Sequence, residues 1–300
     1  PRRLGGKRLM ILNYVAPHTL TEACALGREP GAVFLAGGTD VLVWEADGRR
    51  RLGRVVSLRD LPELRERRWE GDGSLYLGAG TTHDEVASDP EIQKRYPALA
   101  EGCRSVGSWS IRVAGTVGGN VCTAAPSADS AGPLLAYGAE LELTDGESRW
   151  VLPLAEFYVG AGKTVLQQGQ MVLGFRLPDP GRHGGAFMKM GRRRAMEIAL
   201  VSATAVVRLD DAGACSHLRL ALGTAGPTPM LVEGVTGTAV GRPLGEGVIE
   251  ELAQAAAAQA RPRAGSFRCD ADYRRRMVAV VAGRAVTAAW RRAQGEGRVS

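Results

Sequence analysis

Two glycine-rich segments constrain this chain more than any other feature. The apolar run Ala32-Val33-Phe34-Leu35-Ala36 stops abruptly at Gly37-Gly38-Thr39-Asp40, and a second stretch reads Gly115-Thr116-Val117-Gly118-Gly119-Asn120. Each reads as a turn after an apolar strand. Glycine there lets successive backbone N–H groups point into one concavity, a nest that takes phosphate oxygens with no side chain in the way. A ligand with a pyrophosphate fits both. The competing reading of a Gly-Gly pair is a plain hairpin or bulge. Neither segment is a GxGxxG fingerprint, and neither continues into Gly-Lys-Ser or Gly-Lys-Thr, so dinucleotide-type Rossmann and Walker folds are disfavoured.

The surroundings place both segments in α/β units. Thr19 and Glu22 read as a capping box for a helix running to about Gly27, and residues 54–58 read as a strand. Residues 74–80 alternate at period two, Thr82 to Glu85 can cap the next helix, and helices near 98–105 and 129–137 lead to a strand at 139–144. Long alternating runs follow at 171–177, 199–209 and 217–222, then helices near 248–260 and 270–292. Pro178-Asp179-Pro180-Gly181 reads as the main linker. The expected class is α+β: residues 10–180 as two α/β subdomains, about 10–65 and 66–180, and residues 181–295 as an antiparallel sheet backed by helices.

Composition narrows the partners. Forty glycines against 5% aromatic residues suit a protein that wraps a cofactor with main chain. The net charge is +6, yet the basic clusters at 49–51, 192–194 and 274–276 lie far apart without interleaved aromatics, so nucleic acid is not the expected partner. No apolar run approaches the roughly 20 residues a membrane span needs, and residues 1–9 are basic without a secretory apolar stretch, so the expected compartment is the cytoplasm. The five cysteines form no CxxC pair and no metal spacing. Free thiols are expected, Cys122 among them as a small buried one, and His18 and His83 read as turn or cap residues.

The motifs also carry a resemblance. Phe34-Leu35-Ala36-Gly37-Gly38-Thr39-Asp40, and Gly115 to Asn120 followed by Ala125-Pro126-Ser127-Ala128-Asp129, are similar to the two FAD signatures of the flavoprotein subunits of molybdenum hydroxylases. That family includes the xanthine and carbon monoxide dehydrogenases. Matches run in order along nearly the whole chain, through Leu77 to Thr82, Ser110-Ile111-Arg112, Ala186 to Arg193, and Tyr273 to Arg276. The resemblance implies a PCMH-type FAD-binding domain followed by a C-terminal flavoprotein domain of the carbon monoxide dehydrogenase type.

It further implies a site. Phe34, Leu35, Ala36, Gly37, Gly38, Thr39, Asp40 and Val41 would wrap the FAD pyrophosphate. Thr116, Val117, Gly118, Gly119 and Asn120 would form a second wall, with the Thr116 hydroxyl and the Asn120 amide as donors. Asp129 would accept from cofactor hydroxyls, its other reading being the cap of the following helix. Val106 and Val172 would line the cofactor, although a valine in an apolar run is usually core, and Lys189 would contact it. Arg192 to Arg194 would pass near the isoalloxazine, and Met196 stands where relatives that use NAD can carry an acid. The resemblance calls for no catalytic side chain and no metal ligand in this chain.

The implied partners are a large subunit with molybdenum cofactor and a small subunit with two [2Fe–2S] clusters, assembled as a dimer of heterotrimers. Electrons would pass between a nearby cluster and an external acceptor or donor. The cysteine-rich loop of the reductive relatives is missing between Gly78 and Asp129, where Cys103 and Cys122 stand alone. Two alternatives are a stand-alone FAD-dependent reductase of the same FAD fold and a flavin-free assembly subunit.

Overall fold

In the computed structural model, residues 13–193, 196–266 and 268–296 are described; Arg194 of the basic run lies outside them. The chain begins with strand β1 (Tyr14–Val15), helix α1 (Leu20–Gly27), strand β2 (Ala32–Leu35), helix α2 (Val41–Ala46) and strand β3 (Arg54–Ser57). The Thr19 hydroxyl caps α1 by accepting the Glu22 amide, while the Glu22 carboxylate takes the His18 amide, each at 3.2 Å, so the expected box closes one residue early. The three strands are parallel in the order β1-β3-β2, and α2 is the crossover that a parallel pair requires. Val33, Leu52 and Val55 form a small core beneath it.

A second sheet takes strands β4 (Arg67–Trp69), β5 (Leu75–Gly78), β6 (Glu140–Thr144), β7 (Arg149–Pro153) and β10 (Met171–Leu177). Its order is β4-β5-β10-β6-β7, all antiparallel, so the strand reached last in sequence stands in the middle. Helices α3 (His83–Ser88), α4 (Pro90–Arg95), α5 (Pro97–Arg104), α6 (Trp109–Ala114), α7 (Val117–Cys122) and α8 (Ala131–Ala136) lie between β5 and β6, and a hairpin of β8 (Tyr158–Gly160) and β9 (Lys163–Thr164) precedes β10. Leu75, Leu77, Leu141, Leu143 and Phe175 point into the main core; Tyr76, one register off, points the other way and lies under the Arg68 guanidinium, 4.0 Å from its ring centre.

After the break at residues 178–183 come β11 (Gly184–Met190), β12 (Val201–Leu209), β13 (Cys215–Gly223) and β14 (Met230–Leu231), an antiparallel meander. Helices α9 (Val235–Ala239), α10 (Glu246–Gln259) and α11 (Ala271–Ala293) accompany it. β12 is buried at every position from Val201 to Val207, because both faces are covered. Val201, Ala203, Ala205 and Val207 join the core under α10 and α11, whereas Val206 and Phe187 join the main core. Glu101 of α5 clasps the two halves: its carboxylate holds Arg292 of α11 at 2.7 Å and accepts the Phe187 amide at 3.0 Å. No helix among the described residues is long and apolar enough to cross a membrane.

Candidate functional site

The first glycine segment leaves β2 and enters α2. None of the described hydrogen bonds takes up the backbone amides of Ala36, Gly37, Gly38, Thr39, Asp40 or Val41. Unpaired main-chain donors are uncommon in a folded protein, and six in succession need an acceptor from water or a ligand. Gly38 turns the chain at φ +72°, which a side chain resists. Gly37 meets a different need. A methyl group there would stand 1.8 Å from the Ala114 carbonyl oxygen, so only glycine lets this loop lie against the second segment.

The second segment departs from expectation. It follows helix α6 rather than a strand, and Val117 onward is helix α7 rather than a turn. Its amides are spent inside the protein: Val117 donates to the Thr81 carbonyl and Gly118 to that of Ala79, each at 2.9 Å, while Gly119 donates to the Thr116 hydroxyl at 3.0 Å. The first segment alone therefore keeps the free main-chain amides that a nest needs. The misreading has a physical cause, since glycines 118 and 119 serve close packing. A methyl on Gly118 would stand 2.5 Å from the Ala79 side chain. What α7 keeps unspent is the proton of the buried Thr116 hydroxyl and the Asn120 NH2 group, because Asn120 uses its oxygen to accept from Ser130 at 2.7 Å.

That Ser130 bond ties α7 to a buried polar cluster. Asp129 is 5% exposed. One of its oxygens holds the Lys189 ammonium at 2.5 Å, and the ammonium also donates to the Ser105 carbonyl at 3.0 Å. The other oxygen, Oδ1, is buried with no partner at hydrogen-bond distance, since the nearby Ser105 hydroxyl donates to the Gly102 carbonyl at 2.8 Å, so this carboxylate can accept one more hydrogen bond. Burial pushes Asp129 up to about 6 even with Lys189 beside it. Asp129 does not cap α8, whose cap residue is Ser130. Val106 follows Ser105 directly and is partly buried, while Val172 lies in the main core on β10, 4% exposed. Phe34 packs on the main core and Leu35 and Val41 on the small one, so their main chain rather than their side chains faces the nest.

Sequence reasoning missed two groups beneath the seam between the segments. Thr81 Oγ1 and His83 Nδ1 are both buried without a partner. The capping box of Thr82 and Glu85 makes His83 the first residue of α3, yet the ring is 2% exposed rather than set out on a cap, and burial, with the Arg112 charge adding to it, lowers it to about 4. Cys122 corrects a second expectation. The residue keeps exposed surface at the end of α7, but the sulfur itself lies near Tyr158 and burial pushes the thiol up to about 12, so the expectation fails for the residue and holds for the thiol. Glu197 was also missed: buried, it gathers Arg193 at 3.1 Å, Arg268 at 3.2 Å and Arg192 at 3.8 Å, while Met196 beside it is exposed with φ +53°.

An unpaired amide run, a glycine-only seam and an orphaned buried carboxylate oxygen fit a pyrophosphate-linked ligand bearing hydroxyl groups, which FAD is. Residues 10–180 match the family model described as the FAD binding domain in molybdopterin dehydrogenase. The chain belongs to that family. Residues 186–289 match the carbon monoxide dehydrogenase flavoprotein C-terminal domain. The xanthine dehydrogenase FAD-binding subunit of Escherichia coli O157:H7 is 34% identical, over 95% of this chain and 98% of the relative. The carbon monoxide dehydrogenase medium chain of Hydrogenophaga pseudoflava is 30% identical over 93% and 97%. A solved carbon monoxide dehydrogenase structure from the same organism superposes with a TM-score of 0.90, covering 95% of this chain and 99% of that one at 29% identity.

Proposed function

We propose that this chain is the FAD-binding electron-transfer subunit of a molybdenum-containing hydroxylase or dehydrogenase complex. The observation that carries the reading is a loop of six unpaired amides, residues 36–41, that meets the backbone at Ala114 and Gly115 through Gly37, with an unsatisfied Asp129 oxygen in the cluster tied to α7 through Ser130. Residues 34–41 would wrap the pyrophosphate. Thr116 and Asn120 would donate from α7, with Val117, Gly118 and Gly119 as the packed wall behind them. Asp129 would accept a cofactor hydroxyl while Lys189 balances its charge, and Val106 would supply apolar surface, with Val172, buried in the main core, supporting the site from within. Bound FAD supplies redox chemistry in one- or two-electron steps; the chain binds it, orients it and tunes it. We place the cofactor domain at residues 10–180 and the second domain at 181–295.

The reading extends to the assembly. The chain would work beside a large subunit with molybdenum cofactor and a small subunit with two [2Fe–2S] clusters, as a dimer of heterotrimers. Five unpaired cysteines accord with a reducing compartment, so we place the complex in the cytoplasm. The test is to purify the chain with whatever accompanies it, record the visible spectrum, release the chromophore with heat or acid, and assay iron and molybdenum. Noncovalent FAD with both metals is the expected result. FAD without metals, reduced by a small molecule alone, would point to a stand-alone reductase, and absence of flavin would sink the cofactor assignment.

A further inference from the structure

His83 is a buried polar group that the cofactor reading leaves unused, and its place in the fold gives it a task. Thr82 and Thr116 form an antiparallel bridge, which sets His83, the first residue of α3, beside the second glycine segment. The His83 amide donates to the Gly115 carbonyl at 3.1 Å, fixing the ring beneath that residue. A methyl group on Gly115 would stand 3.5 Å from His83 Cδ2 and 3.2 Å from Thr39 Oγ1. The imidazole and the Thr39 hydroxyl therefore flank the same α-carbon, at the seam where Gly37 meets Ala114.

The ring presents carbon to that seam and leaves Nδ1 buried without a partner. Half a turn about the Cβ–Cγ bond exchanges Cδ2 with Nδ1 within the same volume. It brings a nitrogen to the side of the Thr39 hydroxyl and relieves the cost of a buried unpaired polar atom. Resting on the FAD reading above, we propose that His83 is a positioning residue of the cofactor site: when FAD binds, its Nδ1 accepts the Thr39 hydroxyl and locks the first glycine loop against the second. Burial keeps the ring neutral at physiological pH, so a nitrogen lone pair is available to accept. Arg112 of α6 is the charged group that acts on it.

The test is FAD affinity of the full chain, followed by flavin fluorescence, in His83→Leu, His83→Asn, Thr39→Val and the Thr39→Val/His83→Leu double variant. Leucine keeps the volume without the nitrogen, and asparagine keeps a polar atom near the Nδ1 position. Loss of the lock weakens binding roughly tenfold in His83→Leu and in Thr39→Val, the double variant is no weaker than the weaker single one, and His83→Asn stays near wild type. A His83→Leu chain that binds FAD as tightly as wild type, or losses that multiply in the double variant, would overturn the proposal. Should His83→Leu fail to fold, nitrogen-15 spectra of labelled histidine decide, with four histidines to resolve. The Nδ1 resonance of His83 then shifts on FAD addition in wild type and not in Thr39→Val; a resonance indifferent to FAD sinks the idea. A wild-type chain that takes up no FAD overturns the functional reading itself, and this inference with it.

Discussion

Burial acts on two single residues of the site in opposite directions. His83 is lowered from 6.5 to about 4, so between those values the unfolded chain binds a proton that the folded chain refuses, and stability falls as pH falls. Asp129 is raised from 3.8 to about 6, so the folded chain takes its proton first, and stability rises as pH falls through that window. Each effect amounts to about 3 kcal/mol at most, and they nearly cancel. Asp129→Asn removes one of them. Urea unfolding of the FAD-free chain should show the wild-type-minus-variant stability difference growing by about 2 kcal/mol from pH 7 to pH 4. Gly37→Ala belongs to the same scale. Its methyl would collide with the Ala114 carbonyl oxygen, and we expect a loss of about 1–3 kcal/mol with little FAD retained, read by thermal unfolding and flavin content. The glycine at position 37 was legible in the sequence; its reason was not, because the neighbour that forbids a side chain is remote along the chain.

At the scale of elements, helix α7 shows where pattern reading stopped. The run Val117-Gly118-Gly119-Asn120 has poor helix propensity, since two glycines cost roughly 1 kcal/mol each against alanine. Tertiary packing on Ala79 and Thr81 and the Thr116 cap overrule it. Thr116→Ala should therefore cost about 1 kcal/mol of stability through the lost cap and also weaken FAD binding, measured by denaturant unfolding and by flavin titration. The strands were easier. Residues 74–80 and 139–144 alternate because one face meets the core, and β5 and β6 appear where the alternation stands. Their separation by β10 was hidden, because period-two patterning says which face is buried and nothing about which strand is the neighbour.

The two halves of the molecule are joined by the Glu101 clasp and by the Lys189–Asp129 pair. Glu101→Ala would leave Arg292, 18% exposed, and the Phe187 amide without that carboxylate. We expect a loss of about 2–3 kcal/mol and easier proteolysis between residues 178 and 183, followed by limited digestion. Saturating FAD at a hundred times its dissociation constant should add about 2.7 kcal/mol by mass action, visible as a higher unfolding temperature. The sequence by itself determined the α+β class, the break after β10, the turn at the first glycine segment and the family signatures, because these rest on local periodicity, turn chemistry and short contiguous motifs. Only the tertiary structure decided that the two glycine segments touch, that the second is a packed helix, that His83 lies against it, and that Asp129 and Lys189 pair in the cluster which Ser130 ties to Asn120. Those facts depend on pairs of groups far apart in sequence, and a one-dimensional pattern carries no distance between them.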